Sequence, residues 1–237
     1  FDVLTRDAYS SFHTVDVSGG TKEVRYYGSL GYDKDNGVIK NSFNDRYSMR
    51  MNLDANITSK LKMNLRLNGN VQNKASHMRD INPIDYAYNT TRALPAFNED
   101  GSYYYYNKIP ASTNREADRF RFNILNELEN SSDLYNGAGM NANLDLKYTF
   151  SPSLDVSVGG TYTRNSTTQE MWWGEKTNQV AGWRNSEYGV LPPKGELGRS
   201  ELPYGGSIKN TNTISDNYGF RIQSDYRKSF GSDKQHL

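Results

Sequence analysis

The chain has 237 residues, a formal net charge of +1 and no cysteine. The lack of thiols excludes disulfides and cysteine metal sites, and a near-neutral charge without a Lys/Arg block gives no reason to expect nucleic acid as a partner. No apolar run approaches the length of a transmembrane helix, but membrane-spanning β-strands carry a much weaker hydropathy signal and stay possible.

The first predicted strands lie within residues 12–32. Alternation of residue types is weak at residues 12–17 and absent from residues 1–10, and residues 18–21 form a glycine-containing turn. The next strand carries its apolar residues at every second position, namely Val24, Tyr26, Gly28, Leu30 and Tyr32. Residues 33–37 are dense in Asp, Asn and Gly, so we predict a longer connection that reaches residue 45.

The strongest pattern spans residues 46–72, where apolar and polar residues alternate with a period of two. The apolar positions are Tyr47, Met49, Met51, Leu53, Ala55, Ile57, Leu61, Met63, Leu65, Leu67, Gly69 and Val71. The intervening positions are polar, and they include Arg50, Asn52, Lys62 and Arg66. Because successive side chains of a strand point to opposite faces, we predict two antiparallel strands joined by a tight turn at residues 58–60.

The length of this hairpin indicates where its apolar face lies. At about 3.3 Å per residue, residues 46–57 span roughly 40 Å, which covers a bilayer when the strand is tilted by ~45°. A face so rich in Arg, Lys and Asn cannot line a dry core without partners. Apolar side chains toward lipid and polar side chains toward a wet lumen satisfy both faces, so the sequence predicts a hairpin of a transmembrane β-barrel.

Alternation stops after residue 72 and resumes at residues 138–150 and 154–162, with a turn at residues 151–153. Between these strands, residues 119–129 fit either a short helix or a strand extension. A second long stretch covers residues 165–211, and a last strand at residues 218–227 ends in a turn at residues 231–233.

Tight and long connections alternate strictly along the chain. The tight ones are at 18–21, 58–60, 151–153 and 231–233, and the longer ones are at 33–45, 73–136 and 165–211. Outer-membrane barrels combine short periplasmic turns with longer extracellular loops, so the long stretches are predicted to be extracellular. Aromatic residues near strand ends fit interfacial girdles, namely Tyr32, Tyr47, Tyr148, Phe150 and Phe230.

Several motifs resemble one family. They are SGGT-x-x-VRYY-x-SLGY at residues 18–32 preceded by His13, NGVIKN at residues 36–41, RY at residues 46–47, NLD at residues 52–54 and, more loosely, YRKSFG at residues 226–231. Together they resemble the SusC/RagA family of TonB-dependent outer-membrane transporters from Bacteroides-like bacteria. The specific resemblance covers residues 13–72.

The resemblance implies a 22-stranded barrel that encloses an N-terminal plug. It further implies coupling to TonB through a segment outside this chain, a SusD-like lipoprotein as a lid, and uptake of oligosaccharides or peptides across the outer membrane. Residues 1–237 are accordingly predicted to be all-β and to form part of one transmembrane antiparallel barrel domain, about eight of its strands. Residues 234–237 resemble the start of a further strand, and no signal peptide opens the chain, so we expect a fragment without the plug and N-terminal regions.

No constellation for catalysis, a metal or a cofactor emerges. Asp33 and Asp35 fail the spacing of a calcium loop, which favours a hairpin turn, and His13, His77 and His236 are far apart. The carboxylates of Glu127 and Glu129 are expected on a solvated strand or loop edge.

Aromatic residues in the long stretches are the candidates for contact with substrate or lid. They are Tyr103, Tyr104, Tyr105, Tyr106, Trp172, Trp173 and Trp183. Such residues also commonly pack loops against one another, and both roles stay open. A passive porin or adhesin barrel is the alternative function within membranes. A soluble β-rich carbohydrate-binding module is the alternative from another functional class. A soluble module gives no reason for an apolar face as tall as a bilayer.

Overall fold

A computed structural model of the chain describes residues 2–113, 119–190, 200–202 and 204–228. In chain order its elements are β1 (Tyr9–Gly20), β2 (Val24–Asn36), β3 (Phe43–Asn56), β4 (Leu61–Ser76), α1 (Pro83–Asn89), β5 (Tyr106–Lys108), β6 (Phe120–Phe122), α2 (Ile124–Glu129), β7 (Ser131–Ser151), β8 (Leu154–Trp173), α3 (Asn178–Arg184) and β9 (Ser207–Tyr226). None of the helices in these ranges is long and apolar enough to cross a membrane.

Seven long strands form one antiparallel sheet in the order β1-β2-β3-β4-β7-β8-β9, and β5 pairs with β6 in a separate small ladder. Every long strand therefore lies beside its neighbour along the chain, apart from the elements inserted between β4 and β7. Within the described ranges β1 and β9 each have one unpaired edge, so the sheet is open.

The continuous register separates two faces of the sheet. Leu30, Met49, Gly69 and Met140 lie in one cross-strand row, and the adjacent row holds Ser29, Arg50, Asn68 and Asn141. A register shift occurs in β7 and β8 only near Thr149 and Ser151, beside the turn. Because the period of a strand is two, the ladder has an apolar face and a polar face. Arg164 and Asp216, which lie 3.9 Å apart, form a charged pair on the apolar face in the row of Met140.

The apolar face ends at a polar row toward the upper end of the sheet. Leu61 pairs with Tyr148 at its lower end, and Val71 pairs with Ala138 ten residues further along β4. The next row on this face is polar in all seven strands, namely Ser11, Lys34, Asp45, Asn73, Asn136, Thr168 and Asn212. Ten residues of a strand tilted by 35–45° rise about 25 Å, which matches the apolar band of an outer-membrane barrel.

The predicted hairpin at residues 46–72 is confirmed as β3 and β4. Met49, Met51, Leu53, Leu65 and Leu67 share the apolar face, and Arg50, Asn52, Lys62 and Arg66 share the polar face. The connection occupies residues 57–60, where Thr58 Oγ1 accepts hydrogen bonds from the backbone N–H groups of Lys60 and Leu61.

Strand boundaries differ from the sequence-based ones. β4 and β8 continue to Ser76 and Trp173, and β7 and β9 begin at Ser131 and Ser207. The long connections are therefore residues 77–130 and 174–206, shorter than the predicted 73–136 and 165–211, and the connection after β2 is residues 37–42. From the row of Asn73 and Asn136 upward the face that is apolar below becomes polar, so no regular apolar alternation in the sequence marks the continued ladder.

The long connections contain structure of their own. Residues 119–129, which fitted either a helix or a strand, contain both, because β6 is followed directly by α2. Both helices of the first connection start at an asparagine N-cap, Asn82 for α1 and Asn123 for α2, and Thr177 caps α3. We call residues 77–113, 119–130, 174–190, 200–202 and 204–206 the loop assembly.

The buried hydrophobic cluster of the described residues is formed by this assembly together with Leu4, which precedes β1, rather than by the sheet. It consists of Leu4, Met78, Ile81, Phe122, Ile124 and Leu128. Met171 and Trp173 of β8 pack against it. Both belong to the polar face, because they pair with Asp133 and Ser131, so the loop assembly sits on the polar-face side at the upper end of the sheet.

Some predicted features lie outside the described residues. They are Phe230, the turn at residues 231–233 and the strand start at residues 234–237. Within the described residues the sheet has seven strands, against about eight predicted.

Candidate functional site: the polar wall and the loop assembly

The upper half of the polar face is a wall of mostly neutral hydrogen-bonding groups. A depression of about 500 Å³ runs across six strands of it. Its polar lining includes Thr14, Asp16, Tyr27, Ser29, Arg46, Ser48, Arg50, Asn68, Asn70, Asn141, Thr163 and Asn165. Amides and hydroxyls can donate and accept hydrogen bonds alike, so this wall suits polar solutes.

Hydrogen bonds between neighbouring strands hold these side chains in place. Asn141 Nδ2 donates to Thr163 Oγ1 at 2.7 Å, and Thr161 Oγ1 donates to Asn143 Oδ1 at 2.8 Å. The Tyr27 hydroxyl donates to Asp16 at 2.7 Å. The wall is therefore organised before any solute arrives.

The lower half of the polar face carries paired charges instead. Arg221 lies 3.0 Å from Asp145, and Lys147 lies 2.8 Å from Asp155. These pairs stand near the turn between β7 and β8, at the end of the sheet opposite the loop assembly. The polar face thus changes from neutral to ion-paired along the strands.

Glu127 joins the two connections of the loop assembly. The residue is 1% exposed, and its Oε1 accepts hydrogen bonds from the Asn178 backbone N–H at 2.9 Å and from Asn126 Nδ2 at 3.2 Å. Burial raises the pKa of Glu127 to about 7, an effect that these hydrogen bonds and Lys108 partly oppose. The expectation that Glu127 lies on a solvated edge was wrong, because α2 turns this side chain toward α3.

Two buried asparagines add further hydrogen bonds within the loop assembly. Asn178 Nδ2 donates to the carbonyl oxygens of Phe120 at 3.0 Å and Lys108 at 3.2 Å. Asn123 Nδ2 donates to the carbonyls of Tyr104 at 2.8 Å and Ala96 at 2.9 Å. The sequence reasoning missed these residues, although Asn123 before Ile124 and Leu125 is a recognisable N-cap signal.

The four candidate tyrosines belong to the assembly and are half-buried. Tyr103 packs 5.7 Å from the Phe97 ring and donates a hydrogen bond to Glu129, and Tyr106 meets Phe122 edge-on at 5.5 Å. Burial, followed by Glu129, raises the pKa of Tyr103 to about 12. Tyr105 lies 4.4 Å from the Arg121 guanidinium.

The three candidate tryptophans separate into two groups. Trp173 and Trp183 meet edge-on at 5.4 Å, and Trp173 shares the hydrophobic cluster with Tyr106. Trp172 lies on the other face of β8, four residues beyond the polar row, where it pairs with Ile208. The structure therefore brings Trp173, Trp183 and the tyrosines into one assembly and leaves Trp172 outside it. Their contact with substrate or lid stays a prediction.

The fold and the two faces define the class of this chain. An antiparallel meander with a lipid-height apolar band on one face and a polar wall on the other is a segment of a transmembrane β-barrel. Solved structures have the same arrangement. A RagAB peptide importer in an open-open state matches with a TM-score of 0.69 over 97% of this chain at 16% identity, and a RagAB peptide transporter matches with a TM-score of 0.67.

Two sequence relatives of the chain are TonB-dependent receptors. TonB-dependent receptor P26 of Formosa agariphila is 27% identical over 84% of this chain, and TonB-dependent receptor SusC of Bacteroides thetaiotaomicron is 28% identical over 77%. The resemblance to the SusC/RagA family is thereby confirmed. No protein-family model matches the chain. The chain spans about a fifth of the length of these relatives, 21% and 20%, and 23% of the first solved structure.

Proposed function

We propose that the full-length protein containing this chain imports nutrients across the outer membrane by a TonB-dependent, non-enzymatic mechanism. The observation that carries the proposal is the loop assembly on the polar-face side of a membrane-height wall. In this arrangement a solute passes the assembly before it reaches the neutral upper wall. Residues 1–237 belong to one barrel domain, and the connections 77–130 and 174–206 are extracellular.

The proposed partners follow from the same arrangement. A SusD-like lipoprotein covers the extracellular loops, TonB acts through a segment outside this chain, and the plug lies against the polar face. RagAB and SusC support this reading, since both are similar to the chain. The proposed cargo is an oligosaccharide or an oligopeptide, because amide and hydroxyl groups on the upper wall can exchange hydrogen bonds with either.

Uptake by cells that produce the full-length protein tests this function. Labelled maltoheptaose and a labelled oligopeptide mixture are supplied with and without an uncoupler of the proton-motive force. A TonB-dependent importer loses uptake when the uncoupler is added, whereas a passive porin keeps it. Uptake that is insensitive to the uncoupler would overturn the proposal.

The candidate aromatics are tested in the same cells. Trp173→Ala and Trp183→Ala remove the edge-on pair, and Trp172→Ala is the matched control on the other face. If the pair contacts cargo or lid, uptake normalised to surface-exposed protein falls for the pair and not for the control. A stacked aromatic contributes about 0.5–1.5 kcal/mol beyond its buried area, so a loss of severalfold is expected. Unchanged normalised uptake removes these tryptophans from the site.

A further inference from the structure

A small cleft lies between the two connections of the loop assembly. It has a volume of about 90 Å³ and is lined by Tyr105, Arg121, Lys176, Thr177, Ala181, Glu187 and Tyr188. The charged and aromatic groups of this lining are two cations, two phenol rings and the carboxylate of Glu187. Arg121 lies 4.4 Å from the Tyr105 ring centroid, and Lys176 lies 5.4 Å from that of Tyr188.

The backbone beneath both cations is fixed by buried polar groups. Asn178 Nδ2 donates to the carbonyl of Arg121 at 3.3 Å, and Asn126 Nδ2 donates to that of Lys176 at 3.1 Å. Glu187 Oε1 accepts the backbone N–H of Arg121 at 3.0 Å. The two side chains themselves are exposed. Their anchor points are thus preorganised, which lowers the ordering cost of binding.

The charges of the cleft favour a monoanion. In the described part of the chain, neither the Arg121 guanidinium nor the Lys176 ammonium forms an ion pair with a carboxylate, unlike Arg184, which lies 2.8 Å from Glu175. Glu187 offsets one of the two positive charges, so the net charge of the lining is +1. One carboxylate neutralises it, whereas a dianion would leave a negative excess beside Glu187.

We propose that this cleft binds a carboxylate group of the cargo, with Arg121 and Lys176 as donors and the rings of Tyr105 and Tyr188 against the adjoining part of the ligand. An Arg guanidinium stacked on a ring keeps N–H groups at its edge, which match the two oxygens of a carboxylate. The small volume admits a terminal or pendant group rather than a whole residue. The proposal rests on the importer function and specifies its cargo. Peptide C-termini and uronic acids both carry the required group.

Binding to the purified full-length barrel in detergent tests the proposal by calorimetry. The probes are two matched pairs: tetra-alanine with a free C-terminus against its C-terminal amide, and trigalacturonate against its methyl ester. We expect the free acid of at least one pair to bind about tenfold or more tightly than its neutral form. Preference within the peptide pair alone identifies a C-terminus, and preference within the uronate pair alone identifies an acidic sugar. Equal binding of acid and neutral forms in both pairs would overturn the proposal.

Substitutions test whether the preference for the free acid arises from the cleft. Arg121→Gln combined with Lys176→Gln should abolish the preference for the acid, and Arg92→Gln, an exposed cation of the same connection outside the cleft, should keep it. If the double variant misfolds, as judged by loss of heat-modifiable migration, the exposed single variant Lys176→Gln should still weaken acid binding. Acid preference that survives in both variants contradicts the assignment. Because binding is measured without uptake, failure of the importer proposal appears separately, as uptake insensitive to an uncoupler.

Discussion

Glu127 shows how one buried carboxylate can set the strength of a loop assembly. Its side chain connects α2 with the first residue of α3, and Lys108 and Asp80 are the charged groups that act on it from the neighbouring segments. Burial disfavours the ionised form, so the protonated acid is the form that the docked assembly favours. The stability of the contact between the two long connections, residues 77–130 and 174–206, is therefore expected to depend on pH.

The sign of this dependence follows from the raised pKa. The stabilisation is fully present below the ordinary value of 4.5, declines as pH rises, and is lost once pH passes about 7. The rise of the Glu127 pKa from 4.5 to about 7 corresponds to roughly 3 kcal/mol in the free energy with which the two connections pack against each other. Hydrogen-exchange protection of the Asn178 amide, corrected for intrinsic exchange, should therefore be higher at pH 5 than at pH 8 in the full-length barrel.

Two substitutions test whether ionisation of Glu127 causes this pH dependence. Glu127→Gln keeps an acceptor oxygen and cannot ionise, so protection at Asn178 should become independent of pH. Glu99→Gln, an exposed carboxylate of the same connection, should retain the dependence. Protection that increases with pH in the unmodified protein would contradict the argument.

The same residue marks a limit of sequence reasoning. Glu127 was expected to be solvated because neighbouring carboxylates usually are, and nothing local indicates that α3, fifty residues later, would cover it. Trp173 is a similar case, since the alternation ends before it and its face becomes known only from the register with Ser131. Residues whose environment is supplied by a distant segment could not be placed from the sequence.

At the scale of elements, the hairpin of β3 and β4 was predictable because lipid and lumen impose opposite demands on alternate residues. Above the polar row containing Asn73 and Asn136 that contrast disappears, and the ends of β4 and β7 were accordingly misplaced by several residues. The inserted α1, α2 and α3 are only six or seven residues long, too short for a periodic pattern.

Adjacent residues of β3 allow a direct test of the two faces. Met51 lies near the middle of the apolar band, paired with Leu67, and Asn52 lies on the polar face, paired with Arg66. A cation at the midplane of the lipid face costs about 2–4 kcal/mol. We expect Met51→Lys to lower the free energy of unfolding of the full-length barrel in liposomes by this amount. Asn52→Lys should change it by less than about 1 kcal/mol, and equal effects would reverse or remove the assignment of faces.

At the scale of the whole molecule, the alternation of tight and long connections predicts which ends face the medium. Arg92 is an exposed trypsin site in the first long connection, and Lys22 and Lys60 are exposed sites in two tight turns. Trypsin added to intact cells should cleave after Arg92 and spare both lysines. Cleavage after Lys22 and Lys60 should require a permeabilised outer membrane. Cleavage after Lys60 in intact cells would invert the topology.

The final prediction concerns the isolated 237-residue chain. β9 is exposed along almost its whole length, and its outer edge, like that of β1, has no strand partner within the described residues. Large apolar side chains such as Leu30 at 65% and Phe220 at 73% exposure also have no partner in water. Unpaired edges cannot stay unsatisfied in lipid, and they template aggregation in water. Purified alone in plain buffer, the chain should therefore associate and show no cooperative thermal transition by circular dichroism, while the full-length barrel in detergent should show one. A monomeric chain that melts cooperatively in buffer would mean that the sheet closes or packs by itself, and the assignment of its apolar face to lipid would fail with it.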